Sequence, residues 1–595
     1  MRNLTNQALL LAGLSILSIS LAAQNNPAPS KDKAWVVQSN AYTQLLINID
    51  EKYSPEFGTE QGIAFYDTLI SVPTLANKMA ERKDRTEALA VLKTARQKET
   101  DLAVKQDLDI LVNQTELGFR QDDFENNKEV SYLNATNTVF DGIQTLLDDQ
   151  VPEERRKAAV IRLRKYAGLE KDYQSITSIL QQRTMIQMAK PGMIYPSKQE
   201  LEVTLSRNAE MIEGIQELCT KYHMADWQDS YVVIKKQLED YDKWVKENMV
   251  PKARMDFRLP PEQYALALEG YGIDIPPGDL AKMAHTTFTS IQDQMKDIAA
   301  RIAKKYKLPS ADYRSVLQVL KKDQIHGDSI MIVYKAHLTD IENIIRTHHL
   351  VTLPNRAAII RLASAAETAQ QPAPHMVPPP FLNNTGQRGV FVLPLNMPAA
   401  FGETTDKYDD FTFDAASWTI IAHEVRPGHE LQFDKMVEEG VSQARALYAF
   451  NSTNVEGWAL YSEYITLPFM PEEGQLVSLD YRLLRAARAF LDPELQAGTI
   501  NPQQAMDILM NDVLCSHAMA KQEVERYTLR SPGQANSYYY GFIHMIELRK
   551  ETENVLGTKF NQQHFHDFIL SQGILPPALI KQAVVGEFIP REKQN

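Results

Sequence analysis

The chain has 595 residues, 44% of them hydrophobic, enough to bury one large or two ordinary cores. Its 63 Lys and Arg against 76 Asp and Glu leave a net charge of −13, which argues against the basic surface that nucleic-acid binding requires. Two cysteines, Cys219 and Cys515, do not make a disulfide framework; buried free thiols are the simplest reading.

Residues 1–23 read as a signal peptide. Arg2 is the charged start, Ala8 to Leu21 is an apolar run, and Ser20-Leu21-Ala22-Ala23 offers cleavage near Ala22 or Ala23. The run is short for a membrane span of ~20 residues, and no cysteine follows it to carry a lipid. The alternative is an uncleaved anchor helix. Export, to a bacterial periplasm, is the expectation, with no membrane span in the mature chain.

Residues 24–33, rich in Pro, Asn and Ser, read as a linker. From there to residue 352 the pattern predicts an N-terminal helical region. Long amphipathic runs cover Glu87 to Leu117, Glu154 to Arg183, Leu201 to Lys221 and Leu280 to Tyr306. Pro191-Gly192, Pro196, Pro251, Pro260-Pro261, Pro276-Pro277-Gly278 and Pro309 break them.

Residues 353–595 form a second region. It opens with Pro372, Pro374 and Pro378 to Pro380, and Gly389 to Leu395 reads as a strand. This is either a loop with one short strand or the edge strand above a cleft, on which an extended peptide could lie. Phe413 to Ala422 is a nearly all-apolar helix, hence buried, and it ends on His423-Glu424. Polar groups there need partners.

His423-Glu424-Val425-Arg426-Pro427-Gly428-His429, followed by Glu456, offers three N/O ligands and a free carboxylate, the outfit of a zinc hydrolase. The usual spacing of i and i+4 puts two His about 40° apart on a helix, whereas i and i+6 puts them about 120° apart. Pro427 would clash with the carbonyl of His423, and Gly428 accepts unusual angles. A bulge there is expected to return His429 to the face of His423. The helix from Asn454 to about Tyr464 then presents Glu456 and Glu463 on one side.

These residues resemble a known family. His423-Glu424-x-x-Pro427-Gly428-His429-x-x-Gln432, Glu456-Gly457-Trp458-Ala459-Leu460-Tyr461-x-Glu463 and Arg526-Tyr527…Pro532-Gly533-Gln534-Ala535…Tyr538…Gly541…Leu548-Arg549 are similar to the bacterial domain-of-unknown-function 885 family. The likeness is dense from Leu353 to Arg549 and looser before. Asn454-Val455-Glu456-Gly457-Trp458-Ala459 also resembles the zinc-binding Asn-Glu-Gly-Phe-Ala segment of aminopeptidase-N-like enzymes. Asp492-Pro493-Glu494-Leu495 departs from the Asp-Thr-Gly-x-His of many relatives.

The resemblance implies a gluzincin-like zinc metallopeptidase. The fold would be mainly α, large and two-lobed, with a small β-sheet beside the active-site helices. Zn2+ would be held by His423, His429 and Glu456, with Glu424 as general base and Glu463 orienting a ligand. Tyr538, from the cluster Tyr538-Tyr539-Tyr540, would donate to the oxyanion, and Tyr540 would bind substrate. Arg426, Arg526 and Arg549 are candidates for a substrate carboxylate, and Gln432 for a supporting contact. The expected partner is a short peptide; oligomeric state stays open. The alternatives are a degenerate peptide-binding protein and a hydrolase of non-peptide amides or esters. His348-His349 and His564-x-His566 look like metal pairs only superficially, because neither has a neighbouring acid-plus-His set.

Overall fold

The computed structural model describes residues 33–327, 329–371, 373–394 and 409–594. The signal peptide, nearly all of the linker, Pro372 and Leu395 lie outside the described residues. The fold is mainly helical with one small three-stranded sheet.

Two long runs of the N-terminal region are divided. Glu87 to Leu117 spans the end of α1 (Leu75–Lys98) and much of α2 (Leu102–Lys128). Asp101 caps α2 by accepting from the Ala103 and Val104 amides at 2.9 and 3.2 Å. The period survives the break because both helices feed one small core: Leu89 and Leu92 meet Val104, Leu108 and Leu111. Glu154 to Arg183 is split at Gly168, whose φ of +71 lies in the left-handed region; a Cβ there would sit 2.6 Å from the Ser175 amide. The helices Lys198–Lys221 (α3) and Pro277–Tyr306 (α4) appear where the periodicity put them.

Residues from Val130 to Met249 pack as one core. A larger core draws on α4, on α5 (Ser329–Thr347) and on nearly every later element. It therefore runs across the boundary read at residue 352. Cys219 lies in the first core and Cys515 in the second, both free and buried.

The sheet has strand order β1–β3–β2, from Ile359–Leu362, Val390–Leu393 and His375–Val377. β3 runs parallel to β1 and antiparallel to β2. The strand expected at the edge is thus the middle one, and all four of its residues are buried. The edges are β1 and the short β2, the latter concealed in the sequence by its proline flanks. Ile360, Phe391 and Leu393 of the sheet share the large core with α6 (Asp414–Glu424), α7 (His429–Glu439), α8 (Ser452–Thr466), α9 (Glu472–Ala497) and α10 (Asn536–Leu556). α4 lies along α9, and α8 along α10. α8 and α10 meet at glycines: a Cβ on Gly457 would be 2.7 Å from Gly541, and one on Gly541 would be 2.1 Å from the Thr453 carbonyl. The residue after Glu456 is glycine because a backbone crosses it.

Candidate metal centre

The motif is not a bulged helix. α6 ends at Glu424, the Arg426-Pro427 peptide is cis, and α7 begins at His429. Proline's clash with the preceding turn is resolved by stopping the helix rather than distorting it. Gly428 folds the return so tightly that a Cβ would lie 1.8 Å from the His423 carbonyl. Trp458 of α8 locks the turn by donating its indole N–H to the Pro427 carbonyl at 2.9 Å.

One histidine therefore closes one helix and the other opens the next, with ring centroids 4.9 Å apart and planes at 85°. Glu456 reaches both, its Oε2 lying 3.3 Å from His423 Nε2 and 3.5 Å from His429 Nε2. One ligand atom from each of the three residues falls within 4.8 Å of the others. Tetrahedral zinc with bonds of ~2.0–2.1 Å holds neighbouring donors ~3.4 Å apart, so these two spacings fit. Glu456 Oε2 is buried and makes no hydrogen bond of its own, as expected of an atom directed at a cation. The donor set fits zinc.

Glu463, one α8 face further on, accepts from His423 Nδ1 at 2.7 Å and from Thr419 Oγ1 at 2.9 Å. With Nδ1 donating to Glu463, Nε2 is the nitrogen left to bind a metal. Burial disfavours charge on His423, but Glu456, Glu463 and Glu424 outweigh it and push its pKa up to about 9. Burial opposes the ionised form of Glu456 as well, yet the two histidines hold it well below the usual carboxylate range. Glu424 is different: burial raises its pKa despite both histidines, the direction that makes a carboxylate a better proton acceptor. It lies 3.8 Å from His423 Nε2.

The three ligand residues and Glu424 open on a cleft of about 1110 Å3. Tyr538 lines it, its ring parallel to His423 at 6.4 Å and its hydroxyl pushed up by burial and by Glu456, so it stays a donor. Arg526 also lines it, 3.4 Å from that hydroxyl. The β2 edge contributes His375 and Met376.

Four expected site residues are elsewhere. Arg426 is fully buried behind the motif, bonding Glu430 at 3.0 Å, Glu342 and the Arg356 carbonyl. It follows Glu424 in a chain that has already left the helix, which turns its side chain away from the cleft. Arg549 pairs with Glu553 at 2.7 Å and with the Tyr461 hydroxyl at 3.0 Å, one helical turn after another beyond Tyr538 and outside the cleft. Tyr540, two residues from Tyr538, points to the opposite side of α10 and donates to Asp274. Gln432 faces a separate cavity with Asn454 and Trp458.

Arg485, Arg488 and Glu523 line the cleft and were not singled out in the sequence. Their signal was Arg482-x-x-Arg485-x-x-Arg488 on an otherwise apolar helix, a charged stripe on a face that has to be buried.

The comparisons agree with this geometry at the level of the fold. A solved structure described as a "putative lipoprotein of unknown function" from Shewanella oneidensis is 18% identical, covers 93% of this chain and 100% of its own, with a TM-score of 0.70. Another, described as the "putative lipoprotein" from Colwellia psychrerythraea, is 15% identical, covers 94% and 98%, with a TM-score of 0.69. No curated protein matches. The family described as "Bacterial protein of unknown function (DUF885)" matches residues 55–584, and the protein belongs to it.

Proposed function

We propose that the protein is an exported, gluzincin-like zinc metallopeptidase that hydrolyses short peptides. The observation that carries this reading is the convergence of His423, His429 and Glu456 on one point, with Glu424 unligated beside it and Glu463 behind. Zinc bound there would lower the pKa of a water and polarise the scissile carbonyl. Glu424 takes the proton of the attacking water and passes it to the departing amine. Tyr538 donates its hydroxyl to the oxygen that becomes negative. The β2 edge offers main-chain groups to an extended substrate, which favours peptides over compact amides or esters. The apolar run before Ala22, and the lipoprotein descriptions of the two similar structures, support export. Among the described residues, no helix is long and apolar enough to cross a membrane.

The test is zinc content of the purified protein together with cleavage of a mixed peptide library. Zinc near one per chain and cleavage that falls about 10²–10⁴-fold in Glu424→Gln, with zinc retained, is the expected result. Full activity in Glu424→Gln would remove the base assignment. Absence of both zinc and cleavage would leave the degenerate peptide-binding protein.

A further inference from the structure

The cleft holds a cation that its own protein leaves underused. Arg485 is 7% exposed and lines the cleft beside Glu424 and Tyr538. Among the described residues its only hydrogen bond runs from Nη1 to the Tyr481 carbonyl at 3.2 Å. Nε is buried with no acceptor, Nη2 forms a long ion pair with Glu463 at 3.6 Å, and the guanidinium lies over the Tyr481 ring at 4.9 Å. A guanidinium offers five N–H donors, and burying it with one satisfied is costly.

Its neighbours on the same stripe are already committed. Arg488 gives both arms of its fork to Glu523 at 2.7 Å each. Arg526 stands 3.4 Å from Glu523 and 3.4 Å from the Tyr538 hydroxyl. Arg482, whose Nη2 is also buried without an acceptor, lies over the rings of Tyr464 and Phe542 and does not line the cleft. The nearest acid is shared: Glu463 Oε1 pairs with Arg485 at 3.6 Å and also accepts from His423 Nδ1 at 2.7 Å, while Glu523 is held by Arg488.

We propose that Arg485 binds a carboxylate of the substrate, the carboxy-terminal one, so that the enzyme acts as a carboxypeptidase. This rests on the peptidase reading and adds direction to it. Arg485 and the His423 imidazole are both neighbours of a single Glu463 carboxylate oxygen. An extended residue spans ~3.3–3.6 Å, so a terminal carboxylate held there sits one or two residues beyond a carbonyl at the metal. A glutamate side chain carries the same group, and the test separates the two.

The zinc-loaded full-length chain is given N-acetylated peptides as free acids, as carboxy-terminal amides, and as amides with Glu at each position. The free acid should be cut on the order of 30- to 100-fold faster than the amide in kcat/KM, releasing one or two terminal residues. In Arg485→Gln that ratio should collapse toward unity while zinc content stays. A merely structural role would lower both substrates equally, and that outcome overturns the proposal. Equal cleavage of acid and amide, internal cuts, or preference for the Glu-containing amides also overturns it, with the peptidase reading intact. If nothing is cleaved, binding to Glu424→Gln decides: acid preferred over amide keeps the carboxylate site without the peptidase, and no preference removes both.

Discussion

The two sides of the His423–His429 turn are built from the same residue types and come out differently. On the inner side, Arg426 bonds from all three of its nitrogens, to Glu430, Glu342 and the Arg356 carbonyl, and Arg356 carries charge on to Asp434 at 2.7 Å and to Glu438. On the cleft side, Glu456 Oε2 and His429 Nδ1 are buried without hydrogen bonds, and Arg485 makes one. Arg426 is satisfied at every nitrogen and Arg485 is not, although Arg356 Nη2 and Asp434 Oδ2 of the inner network are also buried outside hydrogen-bond geometry. The turn thus separates a buried ion network from the His423, His429 and Glu456 cluster.

The largest expected effect breaks the inner side. Arg426→Ala leaves Glu430 and Glu342 facing a hole, and stability should fall by about 3–5 kcal/mol, the usual result of removing one partner of a buried pair. Urea unfolding measures it. Arg485→Gln should cost far less in the same experiment, and a loss as large as that of Arg426→Ala would erase the contrast between the two sides.

A smaller effect sharpens the cleft side. Glu463→Gln keeps the shape but weakens the orientation of His423, so zinc affinity should drop about 10–100-fold with the fold unchanged. Competition against a zinc chelator reads this directly. An unchanged affinity would make Glu463 a structural residue.

The last concerns pH. His566 sits against Trp458, receives the Tyr461 hydroxyl at Nε2 (2.7 Å) and donates from Nδ1 to the Leu350 carbonyl at 2.6 Å. Burial pulls its pKa down to about 3. Below pH 6.5 the unfolded chain takes up a proton that the folded one refuses. Stability is therefore lost as pH falls from 6.5 toward 3, by at most about 1.4 kcal/mol per unit. His566→Gln should flatten the slope of urea midpoint against pH, and identical slopes would reject this assignment.

Much of the site was legible because its information is local. His423, Glu424 and His429 fall within seven residues, and Glu456 and Glu463 share one helical face. The long helices were legible wherever one apolar stripe met one core, as in α4. Two helices facing the same core, as α1 and α2 do, carry the period across a break and hide it. The arginines and tyrosines were not legible for a related reason. Tyr538 and Tyr540 differ by two residues and face opposite ways, and only the packing of α10 says which looks into the cleft.

By itself, then, the sequence determined the helical class and pointed to His423, His429 and Glu456 as a cluster with Glu424 beside it, since spacing and residue type suffice for these. Tertiary structure decided how His423 and His429 meet, by ending one helix and starting another around Gly428. It also decided which arginine is satisfied and which is left waiting. Whether a buried charge has a partner depends on segments far away in the chain, such as Glu342 for Arg426, and no local pattern records that.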